Sequence, residues 1–134
     1  MTGEIVSGTG VDLVENERVR DLIAKWGHRF TDKVFLPRER KYCESKALPW
    51  LHYAGRIAVK EAVVKALETG ISPEIGWLDI EVERNDISGA PTVRLSGRGQ
   101  KAVEARKVKR IMISLSHTRN HAIAYALLVA AAEC

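Results

Sequence analysis

RIAVKEAVVKALETG, residues 56–70, predicts a long helix that is apolar on nearly every side. At about 100° per residue, Glu61 and Lys65 share one stripe of this helix, and apolar faces lie on both sides of them. Two interpretations of the pair stay open. It is either an i, i+4 salt bridge on a half-exposed helix, or a charged pair in a cleft or interface that needs charge.

The length and composition describe one globular domain. The 134 residues are 46% hydrophobic and 28% charged, without repeats or Pro/Gly-rich linkers, so we expect a single domain over residues 1–134. No apolar run approaches the roughly 18 residues of a membrane span, and the start MTGEIVSGTGVD does not resemble a signal peptide. We therefore expect a cytoplasmic protein without a membrane partner. Cys43 and Cys134 lack CxxC spacing and predict neither a disulfide framework nor a zinc site.

The net charge of +4 and the pI near 9.2 favour acidic partners, which include nucleic acids, phosphorylated small molecules and acidic proteins. One dense basic cluster fits either a solvated helix that runs into a strand or a nucleic-acid surface. Its members are Arg98, Lys101, Arg106, Lys107, Lys109 and Arg110. The chain has few aromatic residues to stack on bases and no recognised nucleic-acid motif, so we expect no nucleic-acid partner.

Hydrophobic periodicity and turn residues predict helices mainly in the first half of the chain and antiparallel strands in the second. The predicted helices cover residues 16–27, 37–47, 49–70 and 100–107. A short extended segment is expected at residues 30–36, and strands are expected at residues 4 to about 13, 77–83, 91–95, 111–116 and 121–129. This order predicts an α+β domain.

Three short motifs are weak signals of chemistry. Gly8 and Gly10 do not complete a GxGxxG loop, because a leucine occupies the third glycine position. His117 and His121 have the spacing of a helical zinc site, but they straddle a predicted turn and no third ligand is near. Ser116 and His117 suggest a nucleophile and a base, although neighbours on a strand rarely face each other. A phosphate-contacting His117 and a plain turn histidine both remain open.

Asp12 lies at the end of the apolar strand GVDLV, where a carboxylate either pairs with a cation or binds one. Together with Glu61 it would form an all-oxygen site of two carboxylates, which suits Mg²⁺ completed by water and phosphate oxygens. Lys65 would then lie beside that phosphate. These residues predict a magnesium and phosphate site.

Four segments carry a resemblance to a known family across nearly the whole chain. They are GTGVDLVENERV (8–19), FLPRER (35–40), AGRIAVKEAVVKALETGI (54–71) and SLSHTRNHAIAYALL (114–128). In this order they resemble the motifs of the holo-acyl carrier protein synthases, the short 4′-phosphopantetheinyl transferases of bacteria. The resemblance implies the α+β fold of that family, with a long central helix packed on a small antiparallel sheet. It also implies a homotrimer with active sites between subunits.

The resemblance further implies roles for individual residues. It implies that Asp12 and Glu61 bind Mg²⁺. It implies contacts to coenzyme A, including its nucleotide end, from Arg56, Lys60, Lys65, Ser116 and His117. One departure is Val64, where many members have a serine, so a ligand contact by that hydroxyl is not carried over to this chain.

The implied activity is transfer of the 4′-phosphopantetheine arm of coenzyme A to a serine of apo acyl carrier protein, with release of adenosine 3′,5′-bisphosphate. Phosphoryl transfer needs neutralised phosphate charge and an in-line nucleophile. Lys65 is expected to stabilise charge on the bridging or departing oxygens, and Glu61, through a metal-bound water, is the expected base. The alternatives from other classes are a small basic nucleic-acid-binding module and a non-catalytic trimer that binds coenzyme A.

The first predicted helix has a basic face that fits an acidic carrier protein. Arg18, Lys25 and, just beyond, Arg29 are expected to meet the acidic residues of the carrier. Leu22 or Trp26 is expected to be an apolar anchor. The alternative is a solvated helix face. The apolar surface of the central helix is larger than one small protomer is expected to cover, which predicts that part of it is buried between chains.

Overall fold

The longest helix of the chain lies between a three-stranded sheet and a group of shorter elements. The computed structural model describes residues 3–132. Its elements in chain order are β1 (Glu4–Glu15), α1 (Asn16–Trp26), α2 (His28–Val34), α3 (Pro37–Glu44), α4 (Pro49–Ala66), a 3₁₀ turn (Trp77–Asp79), β2 (Ile80–Arg84), β3 (Pro91–Leu95), α5 (Gly97–Ala105), β4 (Val108–His117) and β5 (His121–Ala131). The prediction of an α+β fold, with a long helix on a small antiparallel sheet, is confirmed.

The sheet that supports α4 is antiparallel, with the strand order β1-β5-β4, while β2 and β3 form a separate hairpin. Asp12 of β1, Ala124 of β5 and Leu115 of β4 lie side by side in register. Alternate residues of β5, starting at Ala122, are buried, and most of them are alanines. Because alternate side chains of a strand point to one face, these small residues let α4 lie close to the sheet.

β1 approaches α4 closely because Gly8 and Gly10 carry no side chain. A Cβ atom at Gly8 would lie 2.5 Å from the carbonyl oxygen of Ala66, and one at Gly10 would collide with the carbonyl oxygen of Ala62. These glycines therefore serve strand–helix packing, which explains them without a nucleotide loop. The close contact brings Asp12, two residues after Gly10, next to α4.

The prediction of an extended segment at residues 30–36 is wrong, because helix α2 covers most of them. Phe30, Thr31 and Val34 fall on one side of α2 and pack towards the core. Their aromatic and β-branched side chains favour a strand locally, but burial against the rest of the chain overrides that preference. The segment Trp77–Asp79 likewise forms a 3₁₀ turn before β2 rather than the start of the strand.

Helix α4 is covered on both sides within one chain. Eleven of its 18 residues are buried, and it packs on the sheet as well as on α1, α3 and β2. One chain therefore covers most of this helix, and burial of the remainder between chains stays a prediction. Exposed large apolar residues lie instead on the outer face of the three-stranded sheet, and they include Val11, Leu13, Met112, Ile123 and Tyr125.

The other predicted helices and strands are confirmed, with ends that differ by a few residues. Cys43 is buried as a free thiol, and Cys134 lies outside the described residues. Within residues 3–132, no helix has the length and apolarity needed to cross a membrane.

Candidate active site

A lysine of α4 and an aspartate of β1 meet at the edge of a pocket. The Lys65 Nζ atom donates to Asp12 Oδ1 at 2.8 Å and to the carbonyl oxygen of Val11 at 3.2 Å. The Lys65 side chain is 50% exposed and that of Asp12 is 15% exposed. Among residues 3–132, Lys65 forms its ion pair with Asp12 rather than with Glu61. This geometry supports a charged cleft over an i, i+4 salt bridge.

Glu61 and Asp12 line the same pocket, which has a volume of about 440 Å³. Burial raises the pKa of Glu61, the negative charge of Asp12 raises it further, and Lys65 opposes the shift. The hydrogen bond to Asp12 raises the pKa of Lys65, so its ammonium stays charged at neutral pH. Glu15 also lines the pocket, but Asp12 is the carboxylate that acts on Glu61, and a bound cation would relieve the repulsion between these two.

The two carboxylates fit a Mg²⁺ ion. Protein sites for Mg²⁺ commonly supply one or two carboxylates, and water and substrate phosphates complete the coordination. Asp12 and Glu61 provide such a pair. Residues 3–132 contain no group of three or more His, Cys, Asp or Glu side chains placed to hold a metal ion. Asp12 and Glu61 alone would leave most of the coordination of such an ion to water or to a bound ligand.

Helix α1 forms one wall of this carboxylate pocket. Arg18 and Leu22, two of the predicted carrier-binding residues, line it together with Asp12 and Glu61. The apolar lining includes Val19 from the same helix and Phe30, Val34, Ile57 and Trp77 from the other walls. The pocket therefore joins a charged end, suited to a phosphate, to an apolar body.

Three further predicted carrier-binding residues lie outside the carboxylate pocket. Lys25, Trp26 and Arg29 are exposed, and Arg29 belongs to α2 rather than to the first helix. The Lys25 Nζ atom lies 5.1 Å from the centroid of the Trp26 ring. Arg18, Leu22 and Lys25 recur at i, i+4 and i+7, so they share one face of α1. This face continues outward from the pocket.

Arg56 and His117 line a second cavity, which we call the basic recess. It has a volume of about 380 Å³, and its other polar side chains are four that are basic or aromatic and one carboxylate: Lys46, His52, Arg84, Tyr42 and Glu83. The Arg56 guanidinium lies 4.2 Å from the centroid of the Tyr42 ring, and Arg56 is only 7% exposed. Its Nε atom has no hydrogen-bond partner among the described residues. A buried cation of this kind favours the binding of an anion.

The two histidines of the basic recess have lowered pKa values. Burial lowers the pKa of His117 and of His52, and the charge of Arg56 lowers both further. Gly55 leaves room for the His117 ring, because a Cβ atom there would lie 2.6 Å from His117 Cε1. The recess therefore offers imidazole N–H donors beside arginine cations, a combination suited to a phosphate.

Ser116 does not join His117 in the basic recess. The two residues are neighbours on β4, where successive side chains point to opposite faces, and Ser116 is exposed. A nucleophile–base pair within one chain is therefore excluded. The zinc interpretation is not supported either, because His117 and His121 belong to no group of three or more possible metal ligands within residues 3–132.

Lys60 is not available to a ligand. Its side chain is fully buried, and its Nζ atom donates to Glu39 Oε1 at 2.7 Å and to the carbonyl oxygens of Val34 at 2.7 Å and Trp77 at 3.1 Å. These bonds use all three donors of the ammonium. Burial lowers the pKa of Lys60, and Glu39 opposes that shift. We therefore correct the expected coenzyme A contact of Lys60 to a structural role. Val64 is also fully buried, so this position faces the core.

The basic cluster at residues 98–110 is largely paired with acidic side chains of the same chain. Its ion pairs include Arg98–Asp79, Arg106–Glu74, Lys109–Glu4 and Arg110–Glu4. This pairing favours a solvated surface over a nucleic-acid site.

Within one chain, the carboxylate pocket and the basic recess share no lining residue. Glu61 follows Arg56 by five positions, which corresponds to about 140° around the axis of α4. The two cavities therefore open on different sides of the helix.

Several lining residues are missed by the sequence analysis. Tyr42, Lys46 and Arg84 come from separate segments, and no spacing along the chain connects them. His52 lies one helical turn before Arg56, and this i, i+4 spacing could have indicated it.

The chain matches the model of the 4′-phosphopantetheinyl transferase superfamily over residues 8–126, and it belongs to that superfamily. It is 43% identical over 124 residues to the holo-[acyl-carrier-protein] synthase of Syntrophus aciditrophicus, which covers 92% of this chain and 96% of that protein. The crystal structure of the Neisseria meningitidis holo-[acyl-carrier-protein] synthase has a TM-score of 0.86 at 26% identity, over 92% of this chain and 98% of that chain. The Helicobacter pylori synthase in complex with coenzyme A has a TM-score of 0.80 at 28% identity, over 90% and 98%. These findings confirm the family resemblance.

Proposed function

We propose that this chain transfers the 4′-phosphopantetheine arm of coenzyme A to a serine of apo acyl carrier protein. The observation that carries the proposal is the meeting of Asp12, Glu61 and Lys65 at one pocket in a member of this superfamily. The product besides the holo carrier is adenosine 3′,5′-bisphosphate. We take residues 1–134 as one catalytic domain and the cytoplasm as its location.

In this reaction the serine oxygen forms a bond to the phosphorus that carries the pantetheine arm, and a pyrophosphate P–O bond breaks. Adenosine 3′,5′-bisphosphate leaves with the bonding electrons. We propose that the serine proton reaches Glu61 through an intervening water, because a carboxylate that also holds Mg²⁺ is a poor base for direct proton transfer. The Lys65 ammonium would stabilise negative charge on the departing oxygens.

Asp12 and Glu61 are the proposed ligands of Mg²⁺, which when bound would neutralise charge on the pyrophosphate oxygens. Asp12 has a second role in the proposal. Its bond to Lys65 holds the ammonium beside the two carboxylates, where the phosphates would lie.

We assign the nucleotide end of coenzyme A to the basic recess. The supporting observation is the buried guanidinium of Arg56, whose Nε lacks a partner among residues 3–132, beside His117. A phosphate would supply both the missing acceptor and a compensating charge. Ser116 does not line this recess, so its proposed contact to coenzyme A would lie outside the recess of its own chain.

We further propose a homotrimer in which each active site is shared between subunits. Two observations support it: the carboxylate pocket and the basic recess open on different sides of α4, and the outer face of the sheet is apolar and exposed. Association through that face would bury the exposed apolar side chains. It would also allow one coenzyme A molecule to bind with its nucleotide end in the recess of one chain and its pyrophosphate at the carboxylates of the neighbouring chain.

The carrier protein is proposed to dock on the α1 face that continues from the carboxylate pocket. Arg18 and Leu22 would lie closest to the reacting serine, because they line the pocket itself. Lys25, Trp26 and Arg29 would extend the contact across the exposed surface. An acidic carrier would be attracted to these bases, and an apolar side chain would anchor it.

The direct test incubates the chain with apo carrier protein, coenzyme A and Mg²⁺ and measures the mass of the carrier. We expect a gain of one phosphopantetheine arm, lost when a chelator removes the metal. A carrier in which alanine replaces the acceptor serine is the matched control. Coenzyme A binding without any mass gain would instead support the non-catalytic alternative.

A further inference from the structure

A fully buried ion pair lies directly behind the carboxylate pocket. The Lys60 and Glu39 side chains are both 0% exposed, and their charged atoms lie 2.7 Å apart. Glu39 belongs to the FLPRER segment, for which the sequence suggests no function. The pair is remote from solvent and is not itself a ligand site.

Every strong hydrogen-bonding group of the pair has a partner. Besides Lys60, Glu39 accepts hydrogen bonds from the backbone N–H groups of Leu36 at 2.8 Å and Val82 at 2.9 Å. Lys60 donates its two remaining N–H groups to the carbonyl oxygens of Val34 and Trp77. One ion pair thereby joins the end of α2, the start of α3, α4, the 3₁₀ turn and β2.

Two of these partners form walls of the carboxylate pocket. Val34 and Trp77 line the pocket, and Lys60 directly precedes Glu61 on α4. The Lys60 ammonium therefore fixes, through two carbonyl oxygens, the distance between these walls and the helical turn that carries Glu61.

Stability alone is a poor explanation for such a pair. Taking two charges out of water is costly, and well-packed apolar residues often replace a buried ion pair without loss of stability. What apolar residues do not reproduce is the directional set of bonds from one ammonium to three acceptors in different segments.

We propose that Lys60 and Glu39 are positioning residues for the transfer reaction. They hold Val34, Trp77 and Glu61 so that the phosphate and the incoming serine meet in the carboxylate pocket. The inference rests on the proposed function. It predicts that the pair affects catalysis and not the binding of coenzyme A, because the basic recess proposed for the nucleotide does not include Lys60, Val34 or Trp77.

The main test is the double variant Lys60→Met/Glu39→Gln, which removes both charges and leaves no uncompensated buried ion. We expect kcat to fall about tenfold to a hundredfold, as for a small misplacement of reacting groups. The KM for coenzyme A should stay within about twofold, since the recess keeps its residues. Glu39→Gln alone should lower kcat less below its melting temperature, because Lys60 retains its bonds to both wall carbonyls, although the loss of its counter-charge should destabilise the chain.

Two control variants separate positioning from loss of stability. Val63→Ala removes buried apolar volume from α4, and Tyr53→Phe removes the 2.6 Å hydrogen bond from Tyr53 to Glu44. Neither residue lines the carboxylate pocket or the basic recess. Both controls should lower the melting temperature with little change in kcat when assayed well below it.

A structural measurement complements the kinetics. In a background with Trp26→Phe and Trp50→Phe, the remaining tryptophan reports on the pocket wall at Trp77. The double variant should make its fluorescence more accessible to acrylamide, while Val63→Ala should not.

The outcomes of this experiment are distinct. An unaltered chain that transfers no arm refutes the proposed function. If the unaltered chain is active and a folded double variant keeps its kcat, the positioning role is wrong. It is also wrong if Val63→Ala lowers kcat as much at an equal loss of melting temperature. Should the double variant not fold, an unchanged kcat in Glu39→Gln together with unchanged quenching would overturn the proposal.

Discussion

Replacing Gly10 by alanine tests whether the active site depends on the close approach of β1 to α4. At this position a Cβ atom would collide with the Ala62 carbonyl oxygen and lie 2.7 Å from the Ala66 nitrogen. Both are backbone atoms of a buried helix, so they cannot rotate away as a side chain could. The strand must therefore move.

The size of the movement follows from the contact distances. Ordinary contacts between such atoms are about 3.5 Å or longer, so β1 and α4 must separate by about 1–1.5 Å. Such overpacking costs about 1–3 kcal/mol. For a chain of this size that corresponds to a fall in melting temperature of roughly 4–12 °C. The same movement would shift Asp12 relative to Glu61 on α4, and the Lys65 side chain would have to change its conformation to keep its 2.8 Å bond to Asp12.

We therefore expect Gly10→Ala to lose about tenfold to a hundredfold in kcat at a temperature where the variant is folded. Thermal unfolding and carrier-mass assays measure the two effects. Gly3→Ala is the matched control, because the nearest atom to its Cβ is 3.9 Å away. It should leave both quantities unchanged.

The reasoning is refuted if Gly10→Ala has the melting temperature and kcat of the unaltered chain. Weaker coenzyme A binding at an unchanged melting temperature would instead support a nucleotide-binding role for the glycines. Gly8→Ala distinguishes packing from chemistry further. It should destabilise the fold through Ala66 but affect kcat less, because it lies farther from Asp12.

Three further predictions concern the site and its partners. Asp12→Asn and Glu61→Gln should each lower Mg²⁺-dependent transfer about a hundredfold or more, with an unchanged far-UV circular dichroism spectrum. A variant that keeps full activity in dilute Mg²⁺ would show that the substituted residue is not a metal ligand. Arg18→Glu should raise the KM for the carrier about tenfold, less at high salt, without changing the KM for coenzyme A; an equal loss for both substrates would indicate a different docking face. If sites are shared, inactive Asp12→Asn and His117→Ala chains should regain activity after subunit exchange. In an equal mixture about a quarter of the subunit interfaces should then combine an intact Asp12 with an intact His117. A fully active monomer in sedimentation at assay concentration would contradict the shared site.

The sequence by itself determined the features that depend on neighbours along the chain. The spacing of apolar residues, Pro49 at the start and Gly70 beyond the end are enough to predict α4, because helix formation is governed by residues three and four apart. Asp12 and Glu61 were also identified as possible partners. Carboxylates in apolar surroundings are costly unless they bind a cation, and this cost is visible in the sequence.

The tertiary structure decided what each charged residue of α4 does. Lys60 and Lys65 have similar apolar neighbours in sequence, yet one is fully buried on Glu39 and the other is half exposed on Asp12. The local pattern could not separate them, because α4 is apolar on both sides and its register against β1 and α3 is set by distant residues. The basic recess depends on the same kind of contact: Arg56 and His117 meet only because β4 packs on α4. Such long-range contacts follow from how the elements pack together, which no spacing along the chain records.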